Sequence, residues 1–154
     1  MKLLSGVLVT ILLGSTIAYA KDAADEKQAK TATEYRQSIY KLIRSNAGPL
    51  GGMARGNVPF DNEVVKKNAM RINQLSKMIP DYFEINTTQF SLKTDALPKI
   101  WDNKADFEDK AKALQMASAS LLDTANAGVE ADTKKAIGAI FRTCKGCHDE
   151  YKKD

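Results

Sequence analysis

The residues of this chain that could do chemistry stand together near its carboxyl end: Cys144-Lys145-Gly146-Cys147-His148. Two thiols three residues apart can each form a thioether with a porphyrin vinyl group, and the imidazole that follows can reach the iron, which is the attachment pattern of a c-type haem. Taken as a helix, the stretch from Ile137 onward places Ile137, Ile140, Phe141, Cys144, Cys147, His148 and Tyr151 at steps of three and four. Both sulfurs and the imidazole then continue one apolar face. Other uses of these residues fit less well. A disulfide inside a regular helix would be strained and would close a very small loop. A thioredoxin-like dithiol needs a strand feeding its helix, and no strand-like run precedes Cys144. A structural zinc site needs four protein ligands, and the whole chain holds two Cys and one His. The pattern therefore predicts one haem c, held covalently through Cys144 and Cys147.

The amino end agrees with that chemistry. Met1 and Lys2 make a short positive start, Leu3 to Ile17 is mostly apolar, and Ala18-Tyr19-Ala20 offers small residues where a signal peptidase looks for them. Residues 1–20 are expected to be a cleaved export signal and residues 21–154 a single domain. The apolar run falls short of the roughly 18 residues of a spanning helix, so no membrane attachment is expected after cleavage. Export of this kind predicts a periplasmic protein.

Loss of Lys2 with the signal lowers the formal charge of +4 by one, and acidic and basic residues are interspersed along the rest. That is a solvated surface, with no basic footprint for nucleic acid. Lys145, Lys152 and Lys153 read either as solubilising charge or as a docking patch for a redox partner.

Four amphipathic segments must position the motif. Lys21 to Lys30 is polar and Ala-rich and reads as a frayed lead-in. Thr31-x-x-Glu34 fits a capping box opening a first helix, with Tyr35, Ile39, Leu42, Ile43 and Leu50 at helical spacing. Arg36 and Tyr40 fall on the flank of that face. Pro49 among Gly48, Gly51 and Gly52 is expected to bend or end it. Asp61 caps a second helix whose buried face is Val65, Ala69, Ile72, Leu75 and Ile79, with Phe60 and Val65 placed as a hydrophobic staple. Pro80 to Asp102 is irregular and carries Tyr82, Phe83, Phe90 and Trp101, an aromatic flap over the bundle's open end. A third helix from about Asn103 buries Phe107, Ala111, Leu114, Ser118, Leu121 and Ala125, and a fourth runs from about Val129 to Tyr151. The predicted fold is all-α, an antiparallel four-helix bundle with a covalently attached haem between facing helices.

These features resemble the class II c-type cytochromes, and most closely the cytochrome c′ family, over essentially the whole of residues 21–154. The likeness is carried by the C-terminal Cys144-Lys145-Gly146-Cys147-His148 with Asp149 and Tyr151, by Tyr35-Arg36-Gln37-Ser38, by Pro59-Phe60-Asp61 and by Ile100-Trp101-Asp102. The resemblance implies His148 as the proximal iron ligand and Arg36 as a residue near a haem propionate. It also implies homodimers formed through the first two helices.

In that family the first helix lines the distal side of the iron. A Met there gives a six-coordinate electron carrier; a non-coordinating apolar residue gives an open iron. The matching position is Tyr40, and Met53, Met70, Met78 and Met116 all lie outside the segment from Glu34 to Ala47. Tyr40 departs from the apolar residue usual in the family, and Lys152 departs from an arginine found near the proximal face in many relatives. The expectation is a haem protein with an open or weakly ligated iron that binds diatomic gases, nitric oxide and carbon monoxide, and exchanges single electrons with periplasmic redox partners. The alternative is a dedicated electron carrier with a six-coordinate haem. An enzyme such as a peroxidase is not expected, because no second His exists to move protons to peroxide.

Overall fold

The computed structural model describes residues 21–153; the proposed export signal, residues 1–20, lies outside the described residues. Four long helices, α1 (Glu26–Ala54), α2 (Asn62–Lys77), α5 (Lys104–Ala127) and α6 (Glu130–Tyr151), make the bundle. Between α2 and α5 lie two short helices, α3 (Ile79–Tyr82) and α4 (Lys99–Asp102), and the two-residue strand β2 (Ile85–Asn86). Around the bundle α1 packs on α2, α2 on α5, α5 on α6, and α6 closes on α1. Asn62 bonds the Ala125 carbonyl and Asn73 that of Gln115, so α2 and α5 run antiparallel.

The lead-in to α1 is ordered, where a frayed segment was expected. Lys21–Asp22 forms strand β1, parallel to β2. The helix begins five residues before Thr31: the Asp25 carboxylate accepts from Gln28 N–H at 2.7 Å, and the Gln28 side chain accepts from Ala24 N–H at 2.6 Å. This reciprocal cap satisfies donors that an open helix end leaves orphaned. At the other end Pro49 does not stop the helix, which continues to Ala54. An interior proline costs about 3 kcal/mol, but Leu50 and Met53 beyond it are buried, and that burial offsets the lost backbone bond.

The face of α1 also differs from its sequence reading. Ile39, Ile43 and Leu50 are in the core as expected, whereas Tyr35 and Leu42 are 54% and 53% exposed. Arg36, expected on the flank, is buried. Periodicity alone does not distinguish a core stripe from one displaced by a third of a turn.

The other helices follow their patterns. Asp61 caps α2, accepting from Val64 N–H at 3.0 Å, and Val65, Ala69 and Ile72 are buried with Leu75 packed beside them, but the helix ends at Lys77, so Ile79, expected on its face, is buried instead as the first residue of α3. All six expected residues of α5 are buried. Ser118 fits among them because its hydroxyl donates to the Leu114 carbonyl at 2.8 Å. Gly128, at φ 77°, ends α5 in the left-handed conformation that glycine adopts without strain. Of the α6 stripe, Ile137, Ile140 and Tyr151 are buried, and Phe141 lies at the edge. Among the described residues no helix is long and apolar enough to cross a membrane.

The aromatic segment is a plug more than a flap. Phe83 is buried with its ring 4.6 Å from Phe107 and 6.1 Å from Trp101, and the Trp101 indole donates to the Phe83 carbonyl at 3.2 Å.

Candidate functional site

Cys144 and Cys147 are free thiols on one face of α6, half-buried against the apolar core, and His148 follows them exposed at the helix edge. Burial pushes both thiols upward in pKa, Cys147 to about 11 with Cys144 adding to the effect. Both are therefore protonated at neutral pH. Asp106 and Lys110, one turn apart on α5, are the charged groups facing Cys147.

Tyr40 of α1 faces the same region. Its ring meets Phe83 edge-on at 6.2 Å, and its hydroxyl lies within the electrostatic reach of Cys147, Arg36 and Cys144. Burial first, and then the two thiols, raise its pKa far above the ordinary phenol value, against the opposing pull of Arg36. The phenol is thus a neutral donor, half-buried and packed against the core.

Arg36, one turn before it, is 4% exposed. Its Nε donates to the Tyr82 carbonyl at 2.7 Å, one terminal nitrogen donates to Thr87 Oγ1 at 3.0 Å and the other to the Ile85 carbonyl. The guanidinium lies 4.7 Å from the Phe83 ring centre and 5.0 Å from that of Trp101. Burial lowers its pKa to about 10, which leaves it charged at neutral pH. Of the five N–H donors of an arginine, one on each terminal nitrogen remains free for an acid.

The methionines stand away from this site. Met53 is buried in α1, but it lies thirteen residues beyond Tyr40, about 20 Å along the axis. Met70, Met78 and Met116 are exposed on the outside. Lys152 lies 3.8 Å from Asp95.

The donor set fits a haem better than a bare ion. Among the described residues no group of three or more His, Cys, Asp or Glu side chains comes together to hold a metal. One imidazole with two thiols on the same helical face suits a group that brings four nitrogens of its own and is tethered by its rim. Cys144 and Cys147 would hold such a group covalently, and His148 would supply a nitrogen ligand to its iron.

Sequence reasoning missed the partners of Arg36 and the contact of Asp106 with Tyr151. The local signals were there, a Thr at 87 and an Asp in the first turn of α5, but neither has meaning until the chain folds. A surface groove of about 390 Å³ lies elsewhere, between the start of α1 and α3, where Tyr35 and Tyr82 line it.

The architecture and the C-terminal motif together define a haem-type helical bundle, and comparison with known proteins makes this specific. The family model of cytochrome c′ matches residues 31–152. Cytochrome c′ of Rubrivivax gelatinosus is 36% identical over 121 residues, covering 79% of this chain and 93% of the relative. The structure of cytochrome c prime from Shewanella frigidimarina superposes with a TM-score of 0.76 at 38% identity, covering 84% of this chain and all of the other. A nitric oxide complex of a cytochrome c prime variant from Alcaligenes xylosoxidans superposes with a TM-score of 0.71 at 32% identity, covering 82% and 97%. The chain belongs to the cytochrome c′ family.

Proposed function

We propose that the protein is a periplasmic haem c protein that binds diatomic gases, nitric oxide and carbon monoxide, and exchanges single electrons with redox partners, without being an enzyme. One observation carries the reading: the first-helix residue turned toward the two cysteines is Tyr40, and no methionine accompanies it. The nitric oxide complex of the Alcaligenes xylosoxidans relative supports the gas.

When bound, haem would supply a redox-active iron able to take a diatomic gas. The chain supplies the rest. Cys144 and Cys147 would fix the ring to α6, and His148 would give the iron its protein nitrogen. Arg36 offers its two free N–H groups to a propionate while its other three hold the segment from Tyr82 to Thr87 in place. Tyr40, held neutral by burial, would not bind the iron as phenolate and would donate a hydrogen bond to a small ligand held there, worth about 0.5 to 1.5 kcal/mol. A phenol held this far from ionisation is a poor phenolate ligand. With no second His there is no proton relay for peroxide chemistry.

The exposed Tyr35, Leu42 and Met78 border a shallow groove between α1 and α2. This apolar face is the surface for a homodimer formed through the first two helices.

Absorption spectra of the purified protein, oxidised and reduced, before and after nitric oxide, test the reading. A high-spin or water-ligated resting iron that takes nitric oxide is expected. Stable His/Met spectra in both oxidation states would refute it.

A further inference from the structure

The last turn of α6 is tied down just beyond His148. Tyr151 is 4% exposed; its hydroxyl donates to Asp106 Oδ2 at 2.5 Å, and its ring meets Phe107 edge-on at 5.4 Å. Its carbonyl accepts from Leu97 N–H at 3.0 Å, and Lys153 N–H donates to the Asp95 carbonyl at 2.8 Å. Residues 151–153 thus pair with 95–97 in a short antiparallel ladder about the Ala96 and Lys152 bridge. Glu150 adds an ion pair to Lys99. Asp106 stands in the first turn of α5, facing Cys147 as well as Tyr151.

The imidazole has no comparable restraint of its own. A ligating His is usually oriented by an acceptor for its second ring nitrogen. His148 is exposed, its neighbours Lys152 and Asp149 act on it through charge, and among the described residues no acceptor bonds its ring. Its direction is inherited from the backbone at 148, which the latch at 151 holds one turn away.

We infer that Tyr151 and Asp106 are a positioning pair for His148: the hydroxyl–carboxylate bond locks the end of α6 and thereby sets how firmly the imidazole holds the iron. This rests on the haem reading above. A Phe at 151 would fill the same space in the core, so the hydroxyl is not needed for packing; its one strong partner is Asp106. The pair acts through the helix, without touching the iron.

The test uses holoprotein carrying Tyr151→Phe or Asp106→Ala, with Asp106→Asn as the conservative change that keeps an oxygen acceptor. Haem attachment is first checked by mass. The iron–imidazole stretching band of the ferrous protein is expected to move to lower frequency and broaden in Tyr151→Phe and Asp106→Ala, and to return toward its native place in Asp106→Asn. Amide exchange at Leu97 and Lys153 should quicken roughly tenfold in the first two. Because Asp106 is exposed, its variants fold even where Tyr151→Phe does not accumulate. An unmoved band in Asp106→Ala with haem fully attached would overturn the inference and leave the haem reading intact. A wild-type protein without covalent haem would overturn both.

Discussion

Tyr40 of α1 and Cys147 of α6 face one another across the bundle interior, near enough that a charged thiol would hold the phenol's proton more tightly. Burial, the main cause, keeps the residue opposite the proposed haem attachment site a neutral hydroxyl, and its chemistry is that of a hydrogen-bond donor.

Replacing Tyr40 with Met should move the iron toward a low-spin, six-coordinate state and lower carbon monoxide affinity. Replacing it with Phe, which keeps the contact with Phe83, should speed carbon monoxide release about two- to tenfold, the worth of one neutral hydrogen bond. Absorption spectra and ligand-release kinetics check both. If Tyr40→Met leaves spectrum and affinity unchanged, Tyr40 is not distal.

The raised pKa of Tyr40 has a consequence for stability. An unfolded phenol ionises near pH 10, whereas the folded one keeps its proton, so above pH 10 the folded state binds more protons than the unfolded. Stability from this group is complete below that pH and falls above it, at up to about 1.4 kcal/mol per pH unit. Arg36, lowered to about 10, opposes this in the same range, because its burial penalty fades as it deprotonates. The comparison that isolates Tyr40 is wild type against Tyr40→Phe. Urea unfolding from pH 8 to 11 should show the wild type losing ground to the variant only above pH 10.

Arg36→Met should destabilise the fold by on the order of 3 kcal/mol. It leaves the carbonyls of Tyr82 and Ile85 without their charged donor and unseats Trp101 and Phe83. Urea unfolding gives the magnitude. Faster amide exchange at Lys21 and Ala23, which pair with the Glu84 and Asn86 carbonyls, would locate the loss at the β1–β2 end.

Leu42→Asp should convert a dimer to monomers in sedimentation equilibrium with little change in stability, since Leu42 is half-exposed and outside the core. A dimer that persists in this variant would remove the α1–α2 face as the interface.

Much of the bundle was legible because local and global demands coincide. In α5 the positions from Phe107 to Ala125 recur without a break and are all buried, and Gly128 ends the helix by its own conformational freedom. The α1 helix was harder to read. Its first turn has no apolar set, so only the Asp25 and Gln28 cap marks the start, and Pro49 is carried through by burial on either side. Tyr35 and Leu42 look like core by spacing, yet they border an outer groove. In the site, the Cys144, Cys147 and His148 run was readable because its spacing is local. The burial of Arg36 was not, because its partners at Tyr82, Ile85 and Thr87 come from a segment 46 to 51 residues away. Tyr151 and Asp106 meet across 45 residues for the same reason.

Gas binding and electron exchange both depend on haem being held on α6 through thioethers at Cys144 and Cys147. Mass spectrometry of the denatured, exported protein tests that directly. The predicted result is the mass of residues 21–154 plus one haem, lost on replacing both Cys144 and Cys147 with Ala. A mass equal to the bare polypeptide, with both thiols free to alkylate, would contradict it.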